Sequence, residues 1–177
     1  MIAFVYDTET TGLVENLSRK LGWQAECIEF YGCLVNLNDG EVLHDFETLI
    51  KPASSLKENI IKITSITDAM LASAPRFAAV YENIKQCIET APCVIAHNAN
   101  FDKEILDIEC SRLNKQLQWP QIICTIEQTM HLKGYRLNLG ELHKHLTDES
   151  FTDQHRAKPD AMALVRCCVE LRRQGML

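Results

Sequence analysis

Nowhere in this chain of 177 residues is there a run of about eighteen uninterrupted apolar residues, and that absence excludes a membrane-spanning helix. The first residues, Met1-Ile2-Ala3-Phe4-Val5-Tyr6-Asp7, lack the basic region and long apolar stretch of a signal peptide. The expectation is a mature protein that starts here and stays in the cytoplasm. No C-x-x-C pair occurs among the cysteines at 27, 33, 87, 93, 110, 124, 167 and 168, and the His143-x-His145 pair has no partner ligands at zinc-like spacing. Structural zinc is not expected. A chain of this length with an ample apolar core does not need disulfide staples. Most of the cysteines lie in apolar runs such as Pro92-Cys93-Val94-Ile95-Ala96, where a thiol behaves as a small hydrophobe.

Positive charge is also short. Eighteen Lys and Arg face 24 Asp and Glu, a net charge of −6, which argues against holding nucleic acid by bulk electrostatics. The deficit is uneven: residues 1–125 carry 10 basic against 17 acidic groups (−7), and residues 126–177 carry 8 against 7 (+1). Contact with a polyanion therefore requires local basic groups or metal cations that neutralise clustered carboxylates. What is present is 46% hydrophobic and 24% charged residues, a mix that excludes wholesale disorder and fits a soluble globular protein. With no repeat, low-complexity tract or Gly/Ser-rich linker, residues 1–177 read as a single domain.

Apolar patterning predicts strands over 2–6, 26–37 and 41–50, with Asn38-Asp39-Gly40 as the turn of a hairpin. Irregular chain is expected between the first of these strands and about Trp23. Residues 53–90 read as helical pieces, the first capped by Ser54 or Ser55 and the next by Thr67 or Asp68. A short fourth strand fits 92–96, followed by a helix from about Asn100 to Trp119-Pro120. A fifth strand fits 121–125, then helices near 127–132 and 138–146, and a last helix from Pro159, at its first helical position, to Arg173. An antiparallel meander followed by alternating strands and helices implies an α/β fold with a mixed sheet flanked by helices.

Three places gather chemistry. In Asp7-Thr8-Glu9, the carboxylates at i and i+2 project from one strand face, where a hard divalent cation resolves their repulsion. Asp102, in His97-Asn98-Ala99-Asn100-Phe101-Asp102, falls in the first turn of a helix after a central strand, near where ligands of open α/β sheets bind. In His155-Arg156-Ala157-Lys158-Pro159-Asp160, the helix holds the carboxylate, while the imidazole sits on the loop before it, suited to accept a proton near neutral pH. Four carboxylates and one histidine at strand ends and helix starts have the logic of a two-metal phosphodiester site.

Phe4-Val5-Tyr6-Asp7-Thr8-Glu9-Thr10-Thr11-Gly12 resembles the first motif of the DEDDh 3′–5′ exonucleases, a family similar to the proofreading epsilon subunit of bacterial replicase. Residues 94–102 resemble its second motif, and 155–161, with the H-x(4)-D spacing, its third. Leu49-Ile50-Lys51-Pro52 and Ile66-Thr67-Asp68-Ala69-Met70 also look like family segments, whereas Thr64-Ser65 stands where many relatives carry His-Gly.

The resemblance implies a ribonuclease H-like fold. It implies two Mg²⁺ or Mn²⁺ ions held by Asp7, Glu9 and Asp160, with Asp102 completing the set, and His155 as the general base. Thr8 and Gly12 would meet the terminal 3′-hydroxyl through the backbone and Leu13 would wedge against the terminal base. His97 and Asn98 would stand beside the site, either at substrate or shaping the loop. Lys133, Arg136, Arg156 and Lys158 are basic candidates nearby. The expected activity is release of nucleoside monophosphates from 3′ ends of single-stranded or frayed DNA. RNA trimming and a proofreading role with a polymerase are the alternatives, and a homodimer is suspected from some relatives. The chain ends close to the last family helix, which favours a free-standing enzyme.

Overall fold

The computed structural model describes residues 1–16 and 20–177; part of the loop expected after the first strand therefore lies outside the described residues. Among the described residues the sheet has five strands, β1 (Ile2–Thr10), β2 (Cys27–Asn36), β3 (Glu41–Leu49), β4 (Cys93–Ala96) and β5 (Gln121–Cys124), in the order β3-β2-β1-β4-β5. β1 pairs antiparallel with β2 and parallel with β4; β2–β3 is antiparallel and β4–β5 parallel. The mixed sheet flanked by helices is thus as the patterning implies. The helices are α1 (Glu58–Thr64), α2 (Asp68–Leu71), α3 (Phe77–Glu89), α4 (Ala99–Arg112), α5 (Thr125–Lys133), α6 (Leu139–Thr147) and α7 (Ala157–Arg173), with a short 3-10 turn at Leu21–Trp23.

Strand alternation sorts β1 between two cores. Ala3 and Val5 face the cluster that includes Ala157, Ala161 and Leu164 of α7. Phe4 and Tyr6 face the opposite cluster, with Ile105 and Leu106 of α4. A small third cluster joins Ile28 of β2 to Ile60 and Ile66, around α1. On the α4 side Phe4, Tyr6 and Phe30 stack at centroid spacings of 6.2–6.4 Å. Gly32 leaves room for this stack, since a Cβ there would stand 2.2 Å from the Phe4 ring. All eight cysteines are free thiols, seven of them buried.

Several boundaries differ from the patterning. β1 runs on to Thr10, because its pairing with β2 continues past the apolar segment to Glu9↔Glu29 before a bulge. α1 starts after Lys57 rather than at the serines, with no side-chain cap, whereas Thr67 does cap α2, its hydroxyl accepting from the Met70 N–H. α4 stops at Arg112, well before Trp119-Pro120, and Trp119 packs its ring on Tyr6 instead. α7 begins two residues early, at Ala157, which makes Pro159 its third residue. A proline is tolerated there because the first-turn N–H groups have no intrahelical acceptor.

Candidate active site

Because the pleat alternates, Asp7 and Glu9 continue the row of Ala3 and Val5 and point toward α7. The first turn of α7 brings Asp160 to the same place, and one oxygen from each of Asp7, Glu9 and Asp160 lies within 4.8 Å of the others. Thr8 continues the opposite row, toward α4. There Asp102 Oδ1 accepts from the Thr8 hydroxyl at 2.7 Å and from the Thr8 backbone N–H at 3.2 Å. Asp102 is thus not in the tight trio. It stands close enough that its charge is the strongest carboxylate influence on Asp7.

These acids are held in an environment that opposes their ionisation. Burial, then the charges of Asp102, Asp160, Glu9 and Glu29, push Asp7 well above the usual carboxylate range. Burial raises Glu9 to about 8, with Asp160 and Glu29 adding to it and Arg156 partly offsetting. Burial likewise raises Asp102 to about 7 against the Thr8 donors, and Asp160 to about 6 against the His155 N–H. Asp160 Oδ2 accepts that N–H at 2.9 Å, while its Oδ1 is buried without any partner. Clustered, oxygen-only, under-neutralised and with an orphaned acceptor, the set fits a hard divalent cation.

His155, whose backbone N–H binds Asp160, has a positive φ of 65° and is exposed. Its loop is anchored by Glu29, a carboxylate on β2 that the patterning did not single out. Glu29 is only 2% exposed. It accepts from Arg156 through Nε (3.0 Å) and Nη2 (2.6 Å), and from the Ala157 N–H at 2.9 Å, so it caps α7 from a neighbouring strand. The available signal was a lone carboxylate inside the apolar run Ile28-Glu29-Phe30.

Two of the basic candidates are likewise engaged: Arg156 by Glu29, and Lys158 by Glu47 at 2.9 Å. Arg136 donates to Asn98 Oδ1 at 2.9 Å. Asn98 itself takes the left-handed conformation before α4, φ 73°. His97 is held on both sides of its ring, Nδ1 by the Thr125 hydroxyl at 2.9 Å and Nε2 by the Leu137 carbonyl at 3.1 Å. A carbonyl only accepts, so Nε2 carries the hydrogen. Burial lowers the ring to about 4 and keeps it neutral. His97 therefore joins three segments beside the site and has no ring nitrogen left for a ligand.

Thr8, Glu9, Gly12 and Leu13 line one groove of about 730 Å³, together with Trp23, Ile63 and Phe101. A second groove of about 470 Å³ adjoins it, lined by Asn98, Met130 and Arg136, with Leu13 and Phe101 common to both. Leu13 is 80% exposed, a ridge between the grooves rather than part of the core. Gly12 has open space around it, and its carbonyl accepts from the Thr10 hydroxyl at 2.7 Å.

Comparison with known proteins adds the following. A family model described as "Exonuclease" matches residues 4–167. The DNA polymerase III subunit epsilon of Treponema pallidum (strain Nichols) is 32% identical over 177 residues, covering 96% of this chain and 74% of that one. The PolC-type DNA polymerase III of Staphylococcus aureus (strain bovine RF122 / ET3-1) is 31% identical over 172 residues; the chain spans 11% of its length. Among solved structures, the nuclease domain of 3′hExo, a DEDDh family member bound to rAMP, superposes with a TM-score of 0.78 at 17% identity, covering 98% of this chain and 92% of that one.

Proposed function

The chain belongs to the exonuclease family, and on that premise we propose that it is a divalent-metal-dependent 3′–5′ exonuclease releasing nucleoside 5′-monophosphates from single-stranded or frayed DNA. The observation that carries the reading is the trio Asp7, Glu9 and Asp160, in which Asp160 Oδ1 is buried and without a hydrogen-bond partner. Asp7, Glu9, Asp160 and, across β1, Asp102 are the residues that would hold two Mg²⁺ or Mn²⁺ ions. Such ions supply charge neutralisation and Lewis acidity to a phosphodiester. The chain's own part is to orient and to move protons. His155, exposed on the loop before α7, takes the proton of the attacking water, and Asp160 holds the His155 backbone in place. Gly12 leaves the backbone open to the terminal sugar, and Leu13 meets the terminal base at the ridge between the grooves.

DNA is favoured over RNA because the relatives by sequence are parts of DNA polymerase III. That same kinship supports, as a second reading, a proofreading role beside a polymerase; co-elution with a replicative polymerase subunit on gel filtration tests it.

The decisive experiment offers 5′-labelled DNA and RNA single strands of one sequence, with Mg²⁺ or EDTA, to the protein and to the Asp7→Ala and His155→Ala variants. A ladder shortening from the 3′ end, abolished by EDTA and by Asp7→Ala, is expected, with the faster strand naming the sugar. His155→Ala is expected to lower the rate by about 10²–10⁴-fold while retaining Mn²⁺ binding by calorimetry. No shortening of either strand with Mg²⁺ or Mn²⁺ overturns the reading.

A further inference from the structure

Trp23 is 70% exposed at one side of the groove that also holds Thr8, Glu9 and Gly12. It takes no part in any of the three apolar clusters among the described residues, so the core does not require an indole there. Its support is nevertheless built with care. Arg112, at the end of α4, donates through Nη2 to the carbonyls of Leu21, Gln24 and Ala25 at 3.0, 2.9 and 3.0 Å. Its Nη1 pairs with the buried Glu109 at 3.0 Å. The buried Gln24 then ties this turn to the segment carrying Leu13: Oε1 accepts from the Glu15 N–H at 2.9 Å, and Nε2 donates to the Asn16 carbonyl at 3.1 Å. A reciprocal pair between Thr11 and Glu26 closes the base of the same loop.

We propose that Trp23 is a stacking platform for the terminal base of the substrate strand, acting in one groove with Leu13. The inference rests on the exonuclease reading for the identity of the ligand. Three points on the molecule converge. Glu9 of the acidic trio and Trp23 line one and the same groove. Lys57 is the one cation among the described residues that line this groove, Arg156 and Lys158 are paired with Glu29 and Glu47, and the chain as a whole is acidic. A single lysine can pair with a phosphate but offers no face to a base, whereas an aromatic face serves every base. Finally, an indole carried on a turn whose backbone is already hydrogen-bonded costs less ordering when a base stacks on it than one on a free loop would.

Two arms test this with Trp23→Ala and Trp23→Phe. The first needs no turnover: titration of dAMP and dCMP, with Mg²⁺, against intrinsic tryptophan fluorescence. Wild type is expected to show saturable quenching, stronger binding of the purine, and loss of that quenching in both variants, since Trp119 alone remains. The second measures kcat and KM on 5′-labelled strands ending in dA or dC. Trp23→Ala is expected to raise KM by about tenfold with the effect on KM rather than kcat, and to erase the purine-over-pyrimidine preference, which Trp23→Phe retains. Unchanged preference and KM in Trp23→Ala, with no quenching of wild type, overturns the proposal and leaves the indole as a contact for some other partner. If wild type degrades neither strand, the exonuclease reading falls, while the nucleotide titration still decides the role of Trp23.

Discussion

A carboxylate removed from water and given no cation favours its protonated form, and here four do so together. Each therefore works against the fold in the absence of metal. Asp160→Asn keeps the acceptor for the His155 N–H and removes one like charge from beside Asp7 and Glu9. It is expected to raise the melting temperature in EDTA by about 3 °C, roughly 1 kcal/mol for a domain of this size, and to abolish nuclease activity. A lower melting temperature in EDTA would mean that the trio is not under repulsive strain. The acids and His155 were legible because each interrupts a pattern: two carboxylates on an otherwise apolar strand, and others at helix starts. Glu29 interrupts its strand just as plainly, but its partner Arg156 lies 127 residues away, and spacing along a chain says nothing about such a pair. Trp23 was passed over for the opposite reason, since a tryptophan in irregular sequence breaks no pattern.

At the scale of elements, the site depends on how α7 is started. Arg156 precedes the helix with no side-chain cap of its own, and the cap comes from Glu29 on β2. Glu29→Gln removes the ion pair and weakens the acceptor for Ala157. It is expected to cost about 2 kcal/mol by urea denaturation, less than a wholly buried pair because Arg156 is about one-third exposed. It should also lower kcat, since the loop that carries His155 loses its anchor. Undiminished stability would show that the bidentate contact contributes nothing net. Strands and helices were mostly readable in kind from periodicity, and their ends were not. β1 extends because β2 continues to pair with it, and α7 begins early because a carboxylate from another element satisfies its first N–H. Both causes are tertiary, and neither leaves a mark in the local sequence.

For the whole molecule, the shifts fix the sign of a pH dependence. Unfolded carboxylates titrate near 4, whereas in the folded protein Asp160, Asp102 and Glu9 are raised to about 6, 7 and 8. Between those limits the folded state binds more protons than the unfolded one, so stability falls as pH rises. The melting temperature in EDTA is expected to decline from pH 5 to pH 8, and saturating Mg²⁺ or Mn²⁺ should remove the decline. A flat or rising curve in EDTA would contradict the raised values.

The trio draws two of its members from the first strand and the third from the last helix, and the cap of that helix joins residues 128 apart. On the ribosome, Asp7 and Glu9 emerge well before α7, and they gain their partner only when α7 is released and docks. A nascent chain not yet extended through α7 thus lacks the third carboxylate of the trio. Synthesis through α7 is itself the step that assembles the site.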